Sequence, residues 1–270
     1  MIVGTLRSGL SVLVLASGLT AGVVSATTAQ ETPRSRELRS LLEPSPSDYS
    51  QFNTPYDGRF TFARLMFTPL SSGGSFRRDL KWDHDYPRAE RNFMRLLSEI
   101  TTLDPYLDGG NVLAMDDPEL FRYPVAYLSE PGYWTMTEAE EEGLRSYLLK
   151  GGFLIVDDFA GPDWYNFQLV VERLLPGHRI IPLDETHPMF DAFFHIESIE
   201  MAHPNYRGFW AQYFGVFEDN DPLGRPMMVI NYNNDIGDYW EWSDTGWVPI
   251  EISNEAYKIG VNYIVYAMTH

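Results

Sequence analysis

The chain has 270 residues, a formal net charge of −18 and no cysteine. Disulfides, thiolate metal sites and cysteine nucleophiles are therefore excluded, and so acidic a surface disfavours nucleic acid and anionic membranes as partners. With 44% apolar and 14% aromatic residues, a domain of roughly 200 residues can bury a single core without covalent staples.

Residues 1–29 read as a secretory signal, with cleavage after Ala26 or Ala29. Arg7 precedes an apolar run from Leu10 to Val24, and the small residues SATTAQ follow. Ser11, Ser17, Gly18 and Thr20 interrupt the run, which makes it short for a membrane span. Export to the periplasm or the exterior is expected, with no stable span once the signal is removed; a retained N-terminal anchor is the alternative. Residues 30–58 are rich in Pro, Ser and charge and read as a linker with one short helix around Arg36 to Leu42. Residues 59–270 then form the folded domain.

Within that domain strands and helices alternate. Arg59 to Phe67 is β-like. Pro87 to Thr102 is a helix whose Ala89, Phe93, Leu96, Leu97 and Ile100 share one face. Short strands follow at Asn111 to Met115 and Tyr123 to Leu128. Thr137 and Glu140 form a capping-box pattern, and Gly151 suits the end of the helix they begin. Phe153 to Val156 has no polar alternation, as expected of a strand covered on both faces. A helix at Asp163 to Leu175 and a strand at Arg179 to Leu183 come next. Phe209 to Phe217 and Pro226 to Tyr232 flank a turn-rich EDNDPLGR link, as in a long hairpin, and Asn254 to Met268 is a closing helix. The pattern predicts an α/β fold: a mostly parallel central sheet between helical layers, with an antiparallel addition near the C-terminus.

In open sheets of this kind ligands sit at the carboxyl ends of the strands. Asp157 and Asp158 stand where the Phe153 strand ends. Neighbouring strand residues point to opposite faces, so both reach one ligand only if the strand has already ended. Either they form a ligand or cation site, or Asp158 or Asp163 caps the next helix and Asp157 pairs with an arginine. In WDHDYPRAER, Asp83 and Asp85 share a side if the segment is extended, His84 faces away, and Tyr86 follows. Arg88 and Arg91 oppose the helix dipole and call for an anion. A bound ligand, Asp85, Asp116, Asp117 and Asp157 are the candidates, and a structural ion-pair network is the competing explanation.

Asn233, Asp235 and Asp238 offer oxygen donors around Gly237, without the closing glutamate of an EF-hand. A metal-free Asx turn explains the same string. Asp157, Asp158, Asp235 and Asp238 are thus the candidate metal ligands. Trp82, Trp164, Trp240 and Trp242 lie beside carboxylates, a pairing that suits sugar rings or simply seals the core. His187, in THPMF, is a candidate general base or a hydrogen-bonded loop histidine. Gly73-Gly74 reads as a flexible loop at the mouth of the site. Nucleotide-binding spacings are absent, so no cofactor beyond a possible divalent cation is expected.

Six strings occur in a characteristic order: FTFARLMF, DYPRAERNF, DDPELFRYPVAYLSEPGYW, LRSYLLKGGFLIVDDFAGPDW, NNDIGDYWE and IGVNYIVYAMTH. Over residues 59 to 270 the chain resembles the bacterial domain of unknown function (DUF) 4159 family. The resemblance implies a flavodoxin-like, three-layer fold in the class I glutamine amidotransferase-like superfamily. Members also occur within larger membrane-associated proteins. The family has no assigned activity, so no residue inherits a role from it. The superfamily's cysteine chemistry cannot operate here, and no G-x-S-x-G elbow replaces it.

Two functions fit these residues. One is an exported, non-catalytic α/β module that binds a small polar ligand, glycan or protein partner at the carboxyl edge of its sheet. The other is a carboxylate- or metal-dependent hydrolase acting on a sugar-like or other polar substrate. Asp157, Asp158, Asp235 or His187 would then serve as metal ligand or general base.

Overall fold

Alternate residues of the central strands feed two separate cores, and that parity fixes the architecture. Phe60, Phe62, Val125, Tyr127, Phe153, Ile155 and Val229 pack on one face of the sheet. Their neighbours Ala63, Leu65, Ala126, Leu128, Leu154, Val156, Met228 and Ile230 pack on the other. Sheets buried on both sides carry apolar residues in both registers. The computed structural model describes residues 49–70, 79–201, 203–206 and 208–270. The expected signal, most of the expected linker and the Gly73-Gly74 loop lie outside them.

The strands are β1 (Phe60–Met66), β2 (Pro105–Ala114), β3 (Val125–Ser129), β4 (Phe153–Phe159), β5 (Ile181–Leu183), β6 (Gln212–Phe217) and β7 (Pro226–Tyr232). They form one sheet in the order β2-β1-β3-β4-β7-β6-β5. Pairing is parallel from β2 through β7 and antiparallel for β7 with β6 and β6 with β5. Helices α1 (Arg88–Ile100), α4 (Ile236–Glu241) and α5 (Ile250–Thr269) cover the first face; α2 (Glu138–Leu149) and α3 (Asp163–Leu174) cover the second. The result is a three-layer, flavodoxin-like α/β sandwich with an antiparallel edge, as the alternating pattern predicts. Among the described residues no helix is long and apolar enough to cross a membrane.

The chain runs from β1 outward to β2 and then back across to β3. The strand order therefore reverses beside β1, and the crevice at the carboxyl ends of β1 and β3 is where such folds place ligands. The capping box is present in full: Thr137 Oγ1 accepts from Glu140 N at 3.2 Å, and Glu140 Oε2 accepts from Thr137 N at 2.7 Å. Asn53 and Thr54, at the end of the expected linker, exchange hydrogen bonds of 2.8–2.9 Å with Asn111 and Val112 on edge strand β2. The string Asn233 to Trp242, read from sequence as a loop, contains α4. Its helical start is supplied by Asp235, whose side chain accepts from Asp238 N at 2.8 Å.

Candidate functional site at the carboxyl edge of the sheet

Asp157 shares strand parity with Ile155 and so points toward α4. It is fully buried. Tyr127 Oη donates to its Oδ2 at 2.7 Å, Gly237 N to the same oxygen at 3.0 Å, and Asn231 Nδ2 to Oδ1 at 3.0 Å. The residue joins β3, β4, β7 and the first turn of α4. It does not pair with an arginine, as the structural alternative had it.

By simple alternation Asp158 would face the opposite core. It does not, because β4 carries a bulge: Val156 aligns with Ile230 but Phe159 with Tyr232, one residue short on β7. The extra residue in such a bulge can turn over, and Asp158 adopts φ 61°. Its Oδ2 accepts from Ser129 Oγ at 3.0 Å and its Oδ1 from Tyr206 Oη at 2.5 Å. Both aspartates thus serve the same edge while still inside the strand, by a route that strand parity did not anticipate. Asp158 caps no helix; α3 begins without any side-chain cap.

Residues 81–87, ahead of α1, form a series of turns, with Lys81 and Asp85 at φ 67° and 63°. The extended reading therefore fails: Asp83 and His84 exchange facings, and Asp85 shares a side with His84 and not with Asp83. His84 points into the site: its Nδ1 lies 2.8 Å from Glu130 Oε1 and 3.7 Å from Asp158 Oδ2, and its Nε2 lies 3.0 Å from Asp79 Oδ1. Asp83 turns toward Tyr49, 3.5 Å away. Asp85 turns inward, and its Oδ2 is buried with no hydrogen-bond partner. Arg64 on β1 holds this turn, donating to the carbonyls of Trp82 at 2.9 Å and His84 at 2.8 Å while pairing with Glu90 of α1 at 2.5 Å.

α4 completes the arrangement. One oxygen from each of Asp85, Asp158 and Asp235 lies within 4.8 Å of the others, and the same holds for Asp85, Asp238 and Glu241. Gly237 allows the close approach, since a Cβ would stand 2.5 Å from Asp85 Oδ2 and 2.7 Å from Tyr127 Oη. From the loop before β6, Asn205 Nδ2 donates to Asp238 Oδ2 at 3.1 Å, beside the Tyr206 bond to Asp158. His203 is buried, with Nε2 3.5 Å from Asp238 Oδ2.

Carboxylates crowded out of water repel one another and resist ionisation. Burial, reinforced by the Asp158 charge, pushes Asp85 and Asp235 well above the usual carboxylate range. Burial also lifts Asp157 to about 7, with hydrogen bonds from Tyr127 and Gly237 working against the rise. Asp238 and Glu130 are raised by burial as well. Asp158 and Glu130 push His84 up to about 11 and keep it an imidazolium. Burial lowers His203 to about 4 and keeps it neutral. The edge is thus strongly acidic, with His84 and Lys81 both in contact with its Glu130.

Several residues singled out from sequence stand outside this cluster. Arg88 is exposed and pairs with Asp244 at 2.6 Å, and Arg91 reaches the carbonyl of Asp108. Surface partners therefore satisfy both, and no ligand is needed. Asp117 caps a short 3-10 turn through Glu119 N. Tyr86 packs on the second core, 6.0 Å from the Arg64 guanidinium. Trp164 lies among Phe159, Phe214 and Tyr232, and Trp240 stacks on Phe93 at 4.4 Å with its Nε1 on Ala256 O. Both rings are spent on packing. Asn233 uses its amide to hold Gly161 N and Trp210 O. His187 accepts from Met189 N and donates to Pro222 O, in the turn that leads into the amino end of β7. That end lies opposite the acidic edge.

Conversely, Arg64, His84, Glu130, His203 and Tyr206 enter the site without having been proposed for it. An arginine inside the otherwise uncharged FTFARLMF was the one legible signal among them.

The family described as "Domain of unknown function (DUF4159)" matches residues 61–268, and the chain belongs to that family. A comparison with curated proteins finds no match.

Proposed function

We propose that this DUF4159 member is an exported, non-catalytic binding module whose carboxyl-edge carboxylates hold a small, positively charged group, either a metal ion or an organic ammonium. One observation carries this reading. Oxygens of Asp85 and Asp238 lie within 4.8 Å of each other, while Asp85 Oδ2 is buried without a hydrogen-bond partner. Two carboxylates so placed need a shared proton or a cation between them. Kinship with the class I glutamine amidotransferase-like superfamily belongs to the same proposal, supported by the flavodoxin-like sandwich.

The hydrolase reading draws less support. Asp157 accepts from Tyr127, Asn231 and Gly237 and has no exposed surface. His84 has both ring nitrogens engaged, by Asp79 and by Glu130. A general base must reach its substrate's proton, and neither group meets that condition.

Thermal denaturation at pH 7.5 tests the reading, using chloride salts of magnesium, calcium, methylammonium and ethanolammonium against sodium chloride of equal ionic strength. A cation that binds only the folded state raises its stability. At least one should raise the melting temperature of the wild type and leave Asp85→Asn unshifted. A flat response to all four would end the proposal.

A further inference from the structure

Resting on that reading, we infer that the bound cation is a hard divalent metal ion, calcium or magnesium, ligated by Asp85, Asp158 and Asp235 with Asp238 alongside. Three features of the site carry the assignment.

The spacing suits a metal. Oxygens that share one calcium at about 2.4 Å can stand up to roughly 5 Å apart, and the Asp85, Asp158 and Asp235 oxygens lie within 4.8 Å of one another. The Asp85 oxygen without a partner supplies an open ligand, independent of the clustering itself.

The donors are oxygen, not nitrogen. His203 Nδ1 accepts from Asn205 N at 3.3 Å and its Nε2 faces Asp238, so neither ring nitrogen belongs to the Asp85, Asp158 and Asp235 group. Both ring nitrogens of His84 are taken up by the carboxylates of Asp79 and Glu130. With no cysteine in the chain, the set is all-carboxylate, the chemistry of calcium and magnesium as opposed to zinc or copper.

The space is small. Asp158, Asp235 and Asp238 are only 6%, 5% and 8% exposed, and Gly237 closes one side against Asp85. A bare ion enters where an ammonium would have to bring its carbon chain. The carboxylates are also held in orientation before any ion arrives. Tyr206 and Ser129 fix Asp158, Asp238 N fixes Asp235, and Asn205 and Trp242 Nε1 fix Asp238. Such supporting hydrogen bonds set a metal ligand's geometry.

Isothermal titration calorimetry of the EDTA-stripped full chain at pH 7.5 tests this, with calcium, magnesium, zinc and methylammonium chlorides as titrants. Calcium or magnesium should bind with one-to-one stoichiometry. Asp235→Asn and Asp85→Asn should each weaken that binding at least tenfold, because each replaces a charged ligand with a neutral one. Both variants should keep the wild-type circular dichroism spectrum and melt no lower than the metal-free wild type, since each relieves repulsion. Methylammonium binding without calcium or magnesium binding overturns the metal while leaving the cationic reading standing. Zinc binding tighter than calcium and magnesium and abolished by His203→Asn overturns the all-oxygen assignment. Silence from all four titrants removes both.

Discussion

Arg64 Nε and Glu90 Oε1 meet at 2.5 Å in a place from which both side chains are wholly excluded from solvent. The pair sits between β1 and α1, and the same guanidinium holds the carbonyls of Trp82 and His84. It therefore anchors the turn that presents Asp85. Breaking one partner of a buried pair strands the other, at a cost of about 3–5 kcal/mol. Arg64→Met should lose stability of that order in urea denaturation. Adding Glu90→Leu should recover part of it, but not all, because the two carbonyls stay unpartnered. A single mutant within about 1 kcal/mol of wild type would show that the pair contributes nothing of this kind.

Gly237 is the point where α4 approaches Asp85 and Tyr127 most closely. Gly237→Ala places a methyl group 2.5 Å from Asp85 Oδ2 and 2.7 Å from Tyr127 Oη, so one or both side chains must shift. Overpacking of this sort costs about 1–3 kcal/mol. The variant should melt earlier than wild type and bind the cation more weakly. Wild-type values for both would mean that the helix sits farther from Asp85.

Asp157 is expected to act as a structural pin. Asp157→Ala leaves Tyr127 Oη, Asn231 Nδ2 and Gly237 N without their acceptor. Each stranded donor costs about 1–3 kcal/mol, so the loss should exceed about 3 kcal/mol. Asp157→Asn retains one acceptor oxygen and should lose less. Equal stability of the alanine variant and the wild type, measured in urea, would contradict the role.

The acidic edge also sets a pH dependence for the metal-free protein. Asp85, Asp157 and Asp235 hold protons more tightly when folded than when unfolded, Asp157 up to about 7. Their ionisation therefore penalises the folded state increasingly as pH rises from about 4 through 7. His84, raised to about 11, adds stability below the unfolded value near 6.5 and loses it as pH climbs toward 11. His203, lowered to about 4, acts the other way, since its contribution is lost as pH falls from 6.5 toward 4. Several groups oppose one, so the melting temperature should rise on the order of 5 °C between pH 8 and pH 5. Saturating cation should flatten that slope. A melting temperature that falls over the same interval would reverse the assigned signs.

What could be read in advance divides along physical lines. The apolar run of β4, the amphipathic spacing of α1 and the Thr137 capping box are local signals, and each element forms where its residues point. The position of Asp157-Asp158 at a strand's carboxyl end followed from the same signals. The orientation of single side chains did not. His84 and Asp83 exchange places because Lys81 and Asp85 take positive φ, and Asp158 joins Asp157 because of a one-residue bulge. His203 and Tyr206 arrive from a loop with no periodicity to reveal it. Arg64 finds Glu90 across 26 residues of chain, a pairing that only the packing of α1 on β1 creates. Trp164 and Trp240 mislead for the opposite reason: neighbouring carboxylates in sequence point elsewhere once the rings enter a core.

The most direct measurement is an anomalous difference map from crystals grown with manganese, which substitutes for magnesium or calcium at oxygen sites. A single peak about 2.0–2.6 Å from carboxylate oxygens of Asp85, Asp158 and Asp235 is the expected result. Well-ordered carboxylates there with no peak between them, at manganese concentrations that saturate ordinary hard-cation sites, would contradict the account.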